Sequence, residues 1–131
     1  MKLTLHVDTG NQLEGATLLG AWPGMGEVGV TAMTYLRAAL GASPLGEIDM
    51  SARVSPSAVV VKDGLVTMPE VPSNSLYYVP DPPLLFFESP GHLEGTLALD
   101  LMSTLLDLAQ DFRVSAILTA AAFAMPVDHN E

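Results

Sequence analysis

The sequence predicts an α/β fold: three layers, α/β/α, around a mixed, mostly parallel sheet, in one domain spanning residues 1–131. Three observations carry that expectation. Strand-like segments alternate with two long helical segments. The segments Ala16–Trp22, Leu84–Phe87 and Val114–Thr119 are apolar at consecutive positions, as in strands covered on both faces. A length of 131 residues suffices for one domain and not for two ordinary ones.

Lys2 to Val7 reads as the first strand, because Leu3, Leu5 and Val7 alternate with Lys2, Thr4 and His6. Asp8-Thr9-Gly10-Asn11 is a turn. Ala16 to Trp22 is a second strand, closed by Pro23-Gly24-Met25-Gly26. A helix from Glu27 to Leu40 follows, capped by Gly41. Its polar residues Glu27, Thr31, Thr34 and Arg37 make one narrow stripe. A surface helix normally carries a wider polar face, so this one is expected to be covered on more than one side. Ala42-Ser43-Pro44 reads as a loop and Glu47 to Val54 as a strand. Ala58 to Lys62 and Leu65 to Met68 form a hairpin about Asp63-Gly64, a pair suited to a turn that needs positive φ at both central positions.

Six of the ten prolines fall between Pro69 and Pro90, which limits regular structure there. Within that stretch Leu76-Tyr77-Tyr78-Val79 reads as an edge strand and Leu84 to Phe87 as a buried one. Ser89-Pro90 supplies an N-cap and a first-turn proline for a second helix running to Asp111. Thr96, Asp100, Ser103, Asp107 and Gln110 again form a narrow polar stripe. Val114 to Thr119 is read as a last buried strand.

Composition restricts function. Fifteen acidic and five basic residues give a formal charge of −10. The five cations, Lys2, Arg37, Arg53, Lys62 and Arg113, are scattered singly. Neither a nucleic-acid backbone nor an anionic membrane surface is an expected partner. With no cysteine, thiolate chemistry and four-cysteine zinc sites are excluded. The uncharged run from Val114 to Val127 is shorter than the ~20 residues of a membrane span, and no secretory signal pattern opens the chain. The expected location is the cytoplasm.

Gly24-Met25-Gly26-Glu27-Val28-Gly29 has dinucleotide-fingerprint spacing between a strand and a helix. One reading is a nucleotide- or small-anion-binding turn, with Gly24, Gly26, Gly29 and the strand-end Glu88 as its residues. The other is a tight turn with close helix packing. Glu27 sets a carboxylate where phosphates would lie and Pro23 stiffens the entrance, which favours packing. No Walker lysine is present. His6-Val7-Asp8 and Asp128-His129 could pair as a metal or acid–base site or stand as surface residues near the chain ends. Glu88-Ser89-Pro90-Gly91-His92 lacks the first glycine of a nucleophile elbow, so Ser89 reads as a cap.

Ala16-Thr17-Leu18-Leu19-Gly20-Ala21-Trp22-Pro23-Gly24-Met25-Gly26-Glu27-Val28-Gly29 resembles the opening of the proteasome assembly chaperone family, of the second-chaperone type with its bacterial and archaeal relatives. Leu45-Gly46-Glu47-Ile48 is similar to that family's Ile-Gly-Glu-Ile. Asp63-Gly64 fits its hairpin, Leu85-Phe86-Phe87-Glu88 its central strand, Leu101 to Thr119 its later helix and strand, and His129 a histidine after that strand. The resemblance implies an α/β/α fold of the phosphorylase/hydrolase-like kind, with a mixed sheet, and no established catalysis; no cofactor is expected. Eukaryotic and archaeal members bind proteasome α-subunits through a C-terminal hydrophobic-Tyr-any tail; this sequence ends Asp128-His129-Asn130-Glu131, without that tail. Family members are usually close to twice this length, so the chain corresponds to the first half of the fold, as a natural half-length form or a fragment. The expectation is a non-enzymatic, chaperone-like interaction domain that binds a second copy or another protein. Met33, Leu36, Leu40, Leu97, Leu101 and Leu105 are the expected contact residues.

Overall fold

In the computed structural model, residues 1–53, 59–67, 73–126 and 128 are described. Eight strands and two helices follow one another as β1 (Lys2–Leu5), β2 (Thr17–Ala21), α1 (Val28–Ala39), β3 (Ser43–Asp49), β4 (Val60–Lys62), β5 (Leu65–Thr67), β6 (Asn74–Pro80), β7 (Pro83–Glu88), α2 (Gly95–Asp111) and β8 (Ala116–Thr119). Six strands form one sheet in the order β1-β3-β6-β7-β2-β8, and β4-β5 stands apart as a two-stranded hairpin.

The three-layer α/β/α expectation holds, but the sheet is not mostly parallel. β1–β3, β3–β6 and β6–β7 are antiparallel, while β2 is parallel to both β7 and β8. The parallel part lies where a helix separates consecutive strands. Of the antiparallel pairs only β6–β7 is joined by a tight turn, while β2 reaches its parallel neighbours through intervening helices, since parallel neighbours need a long crossover. β6 is internal, not an edge. Its one proline, Pro80, sits at the hairpin end facing Pro83 of β7, so the ladder before it needs no N–H that proline lacks. β3 begins at Ser43 and so includes Pro44, at an irregularity between Pro44 and Gly46. β3 ends at Asp49 and residues 51–53 form a turn, so the strand expected to run on towards Val54 is cut short; Val54, Ala58 and Met68 lie outside the described residues. Asp63 and Gly64 both have positive φ, as that turn requires.

The two sheet faces carry separate cores. One joins Leu18, Leu45, Ile48, Leu76, Leu85 and Phe87 to Leu101, Leu105 and Leu108 of α2. Trp22 packs on its Phe87 at 5.2 Å between ring centroids. The other is smaller and joins Leu19, Ala21, Val79 and Phe86 to Met33 of α1. Alternation along each strand sends neighbouring residues to opposite faces, so Phe86 serves α1 and Phe87 serves α2.

α2 starts at Gly95, later than Ser89-Pro90 suggests. Ser89 is buried and its hydroxyl donates to the Gly91 carbonyl at 2.8 Å, so it is not an N-cap. Residues 89–94 carry the chain from the end of β7 to the helix layer. β8 is also corrected: it is an edge strand, and all four residues are exposed. Its run of apolar residues is surface left open among the described residues.

Candidate functional site

The turn from β2 into α1 is built for close packing. Gly26 has φ +63° and Glu27 also lies in the left-handed region, at φ 52°, so the chain reverses within three residues. Gly29 faces the backbone beyond β8: a Cβ there would stand 2.2 Å from the Ala120 carbonyl oxygen. The third glycine thus lets α1 seat against the strand end, the packing alternative for this motif.

A cavity of about 620 Å³ opens at the C-terminal ends of β2 and β8, where α/β proteins place ligands. Trp22, Met25, Leu93, Met102, Thr119 and Ala121 are among its walls. Of its lining residues only His92 has an ionisable side chain, and none is Lys or Arg. A nucleotide or small anion at Gly24–Gly29 would find no side-chain counter-charge there.

Glu88 is committed elsewhere. Arg37 reaches inward from α1 and donates to it through Nε at 2.8 Å and a second nitrogen at 3.4 Å, both side chains being mostly buried. The guanidinium lies 4.0 Å from the Tyr77 ring centroid. The Glu88 hydrogen bond raises the Arg37 pKa above its ordinary value, against the opposing effect of burial. This cluster anchors α1 to the ends of β6 and β7.

That inward turn has a consequence. Arg37 is the only charged residue of α1, so the outer face of the helix carries no charge at all. Val28, Thr31, Ala32, Tyr35, Leu36 and Ala39 are exposed there, Tyr35 to 76%. The uncharged surface continues around the Gly29–Ala120 contact into β8 and the following residues. Residues 114–126 include no ionisable side chain. Leu118 is 55% and Phe123 88% exposed. Separately, the β4–β5 hairpin exposes Val60, Val61, Leu65 and Val66 around the charged Lys62 and Asp63. By contrast the outer side of α2 bears Asp100, Asp107 and Asp111, and Asp100 pairs with Arg53. On a chain of formal charge −10, the outer face of α1 and residues 114–126 carry no charge, with the exposed Glu27 and Arg113 at their borders.

The expected contact residues divide. Met33, Leu101 and Leu105 are buried in the chain's own cores and Leu97 is half-buried, so these four do not form an open surface. Leu36 and Leu40 are exposed. Tyr35, Ile117, Leu118 and Phe123 complete the surface and were not singled out from sequence. The signal for them was the run without charge from Val114 onward, together with a helix whose single cation could turn inward. Asp8 accepts the Gly10 N–H at 2.9 Å in a local turn. Among the described residues no three His, Cys, Asp or Glu side chains gather to hold a metal, and His129 lies outside the described residues. No helix among them is long and apolar enough to cross a membrane.

Residues 18–131 match the PAC2 family. The chain belongs to the PAC2 family. The resemblance to proteasome assembly chaperones read from Ala16–Gly29 and the later motifs is therefore sound. Three solved structures share the fold. PbaB of Pyrococcus furiosus, described as an archaeal proteasome activator, matches with 19% identity and a TM-score of 0.68, over 88% of this chain and 48% of its own. PbaA of Pyrococcus furiosus, described as an archaeal homolog of proteasome-assembly chaperone, matches with 18% identity and a TM-score of 0.61, over 88% and 46%. A PAC2 family protein from Streptomyces avermitilis matches with 16% identity and a TM-score of 0.56, over 78% and 47%. This PAC2 chain thus spans a little under half the length of each of these neighbours. No curated protein matches the sequence significantly.

Proposed function

We propose that this PAC2 chain is a non-catalytic, chaperone-like protein-interaction domain that associates with itself. The observation that carries the reading is the uncharged side formed by the outer face of α1 and residues 114–126, on a molecule of charge −10. Exposed apolar surface of this extent marks a place for a protein partner. Copies of equal negative charge repel, and an uncharged side is where they approach at least electrostatic cost. Fold neighbours described as a proteasome activator and a homolog of a proteasome-assembly chaperone support the class of role. The cavity without cations and the Gly29 packing contact favour this over the anion-binding alternative.

Light scattering across a wide concentration range tests the proposal. We expect a native mass at a defined multiple of 13.8 kDa. A single-chain mass at every concentration would overturn self-association.

A further inference from the structure

Resting on that reading, we propose that a second copy docks edge to edge through β8. The two β8 strands pair antiparallel about a two-fold axis normal to the sheet, and the six-stranded sheet becomes a continuous twelve-stranded one.

The two edges of the sheet differ in how they are guarded. Natural edge strands are kept from pairing by charges, prolines or covering elements. β1 carries the exposed Lys2, with His6 and Asp8 following within the same extended run. β8 carries none of these devices. Ala116, Ile117, Leu118 and Thr119 are all exposed, contain neither charge nor proline, and pair on one side only, with β2. Its outer backbone groups meet no strand among the described residues.

The side chains fit the same arrangement. Leu118 pairs in register with Leu19 and so extends the core under α1, while Ile117 pairs with Leu18 and extends the core under α2. Each is about half exposed in the single chain. A two-fold axis normal to the sheet keeps each helix layer on its own side, so apolar rows from both copies meet within both layers. The contact is isologous, each copy offering the same strand, and it closes at two. Like charge does not oppose it locally, because residues 114–126 hold no ionisable group. The general repulsion between two chains of charge −10 is long-range and screened by salt, so this contact strengthens as salt rises.

The absence of native cysteine makes the test direct. Single cysteines are placed in turn at Ala116, Ile117, Leu118 and Thr119, and at Tyr35 on α1 and Val66 on the hairpin. Oxidation of the purified protein is followed by non-reducing electrophoresis. Facing positions on antiparallel strands bring Cα atoms to about 4.5–5.5 Å, within disulfide reach. We expect strong cross-linking at one or two β8 positions next to the axis, falling away on either side, and weak cross-linking at Tyr35 and Val66. Wild-type native mass is measured alongside. A multimer that cross-links at Tyr35 or Val66 and nowhere on β8 overturns the edge pairing but leaves self-association standing. A wild-type monomer overturns both.

Discussion

The two helices cover the same sheet from opposite sides and do so on different terms. α2 has 17 residues, buries Leu101, Leu105, Leu108 and Ala109, and turns acidic side chains to water. α1 has 12 residues and buries only Gly29 and Met33. Its one charge points into the protein, as the Arg37–Glu88 pair. The first arrangement stabilises a domain through a large apolar interior, with acidic residues outside beside the exposed Leu99 and Leu106. The second lays a helix on the sheet through a small core, a glycine contact and an ion pair, and leaves its outer face uncharged. Stability resides mainly on the α2 side and interaction on the side of α1 and β8.

Substitutions can break or sharpen that contrast. The largest effect is expected from Leu101→Ala, which empties a fully buried position on the α2 side. It should cost about 2–5 kcal/mol in denaturant unfolding, against less than about 1 kcal/mol for Leu36→Ala on α1. Equal costs would mean that the two sides share the core evenly. Next comes Gly29→Ala. Helix propensity alone would stabilise it by about 1 kcal/mol. The 2.2 Å approach of its Cβ to the Ala120 carbonyl reverses the sign, and a net loss of about 1–3 kcal/mol with a lowered Tm is expected. A raised Tm would show that the packing at Ala120 is loose.

Glu88→Gln removes a charge that accepts two hydrogen bonds from Arg37 and leaves the guanidinium on Tyr77 without its counter-ion. We expect about 1–3 kcal/mol of destabilisation, readable as a shift of the urea midpoint. The smallest effect concerns neither helix. The Asp49 carboxylate accepts the Ser51 N–H at 2.8 Å, which holds its pKa below the ordinary value. A lowered folded pKa gives stability that is present above the unfolded value of about 3.9 and is lost as pH falls through the lower folded value. Asp49→Asn should therefore flatten slightly the acid limb of the stability–pH curve and leave the neutral region otherwise unchanged in shape.

Much of the fold was legible because local pattern and burial agree in the sheet interior. The apolar runs around Leu18 and Phe86 are central strands, and Asp63-Gly64 is the turn its residues suggest. The same signal misled at β8. An apolar run reports surface that must be covered, and it does not say whether this chain or a partner covers it. The narrow stripe on α1 held a similar ambiguity. Arg37 reads as an outward polar residue on a helical wheel, yet Glu88, distant in sequence, draws it inward. Pairing between distant residues has no trace in local spacing, which is also why Leu101 and Leu105 were read as contact residues when the α2 core claims them.

The division between the two sides is tested most directly by one matched pair of lysine substitutions. Leu118→Lys charges β8 at a position 55% exposed, and Leu99→Lys charges a somewhat more open position on α2, 69% exposed. Native mass is measured for both by light scattering, with far-UV circular dichroism to confirm folding. We expect Leu118→Lys to return the protein to a mass near 13.8 kDa while Leu99→Lys keeps the wild-type multiple. Loss of the multimer in Leu99→Lys, with Leu118→Lys unaffected, would contradict the assignment and move the interaction surface to the acidic side.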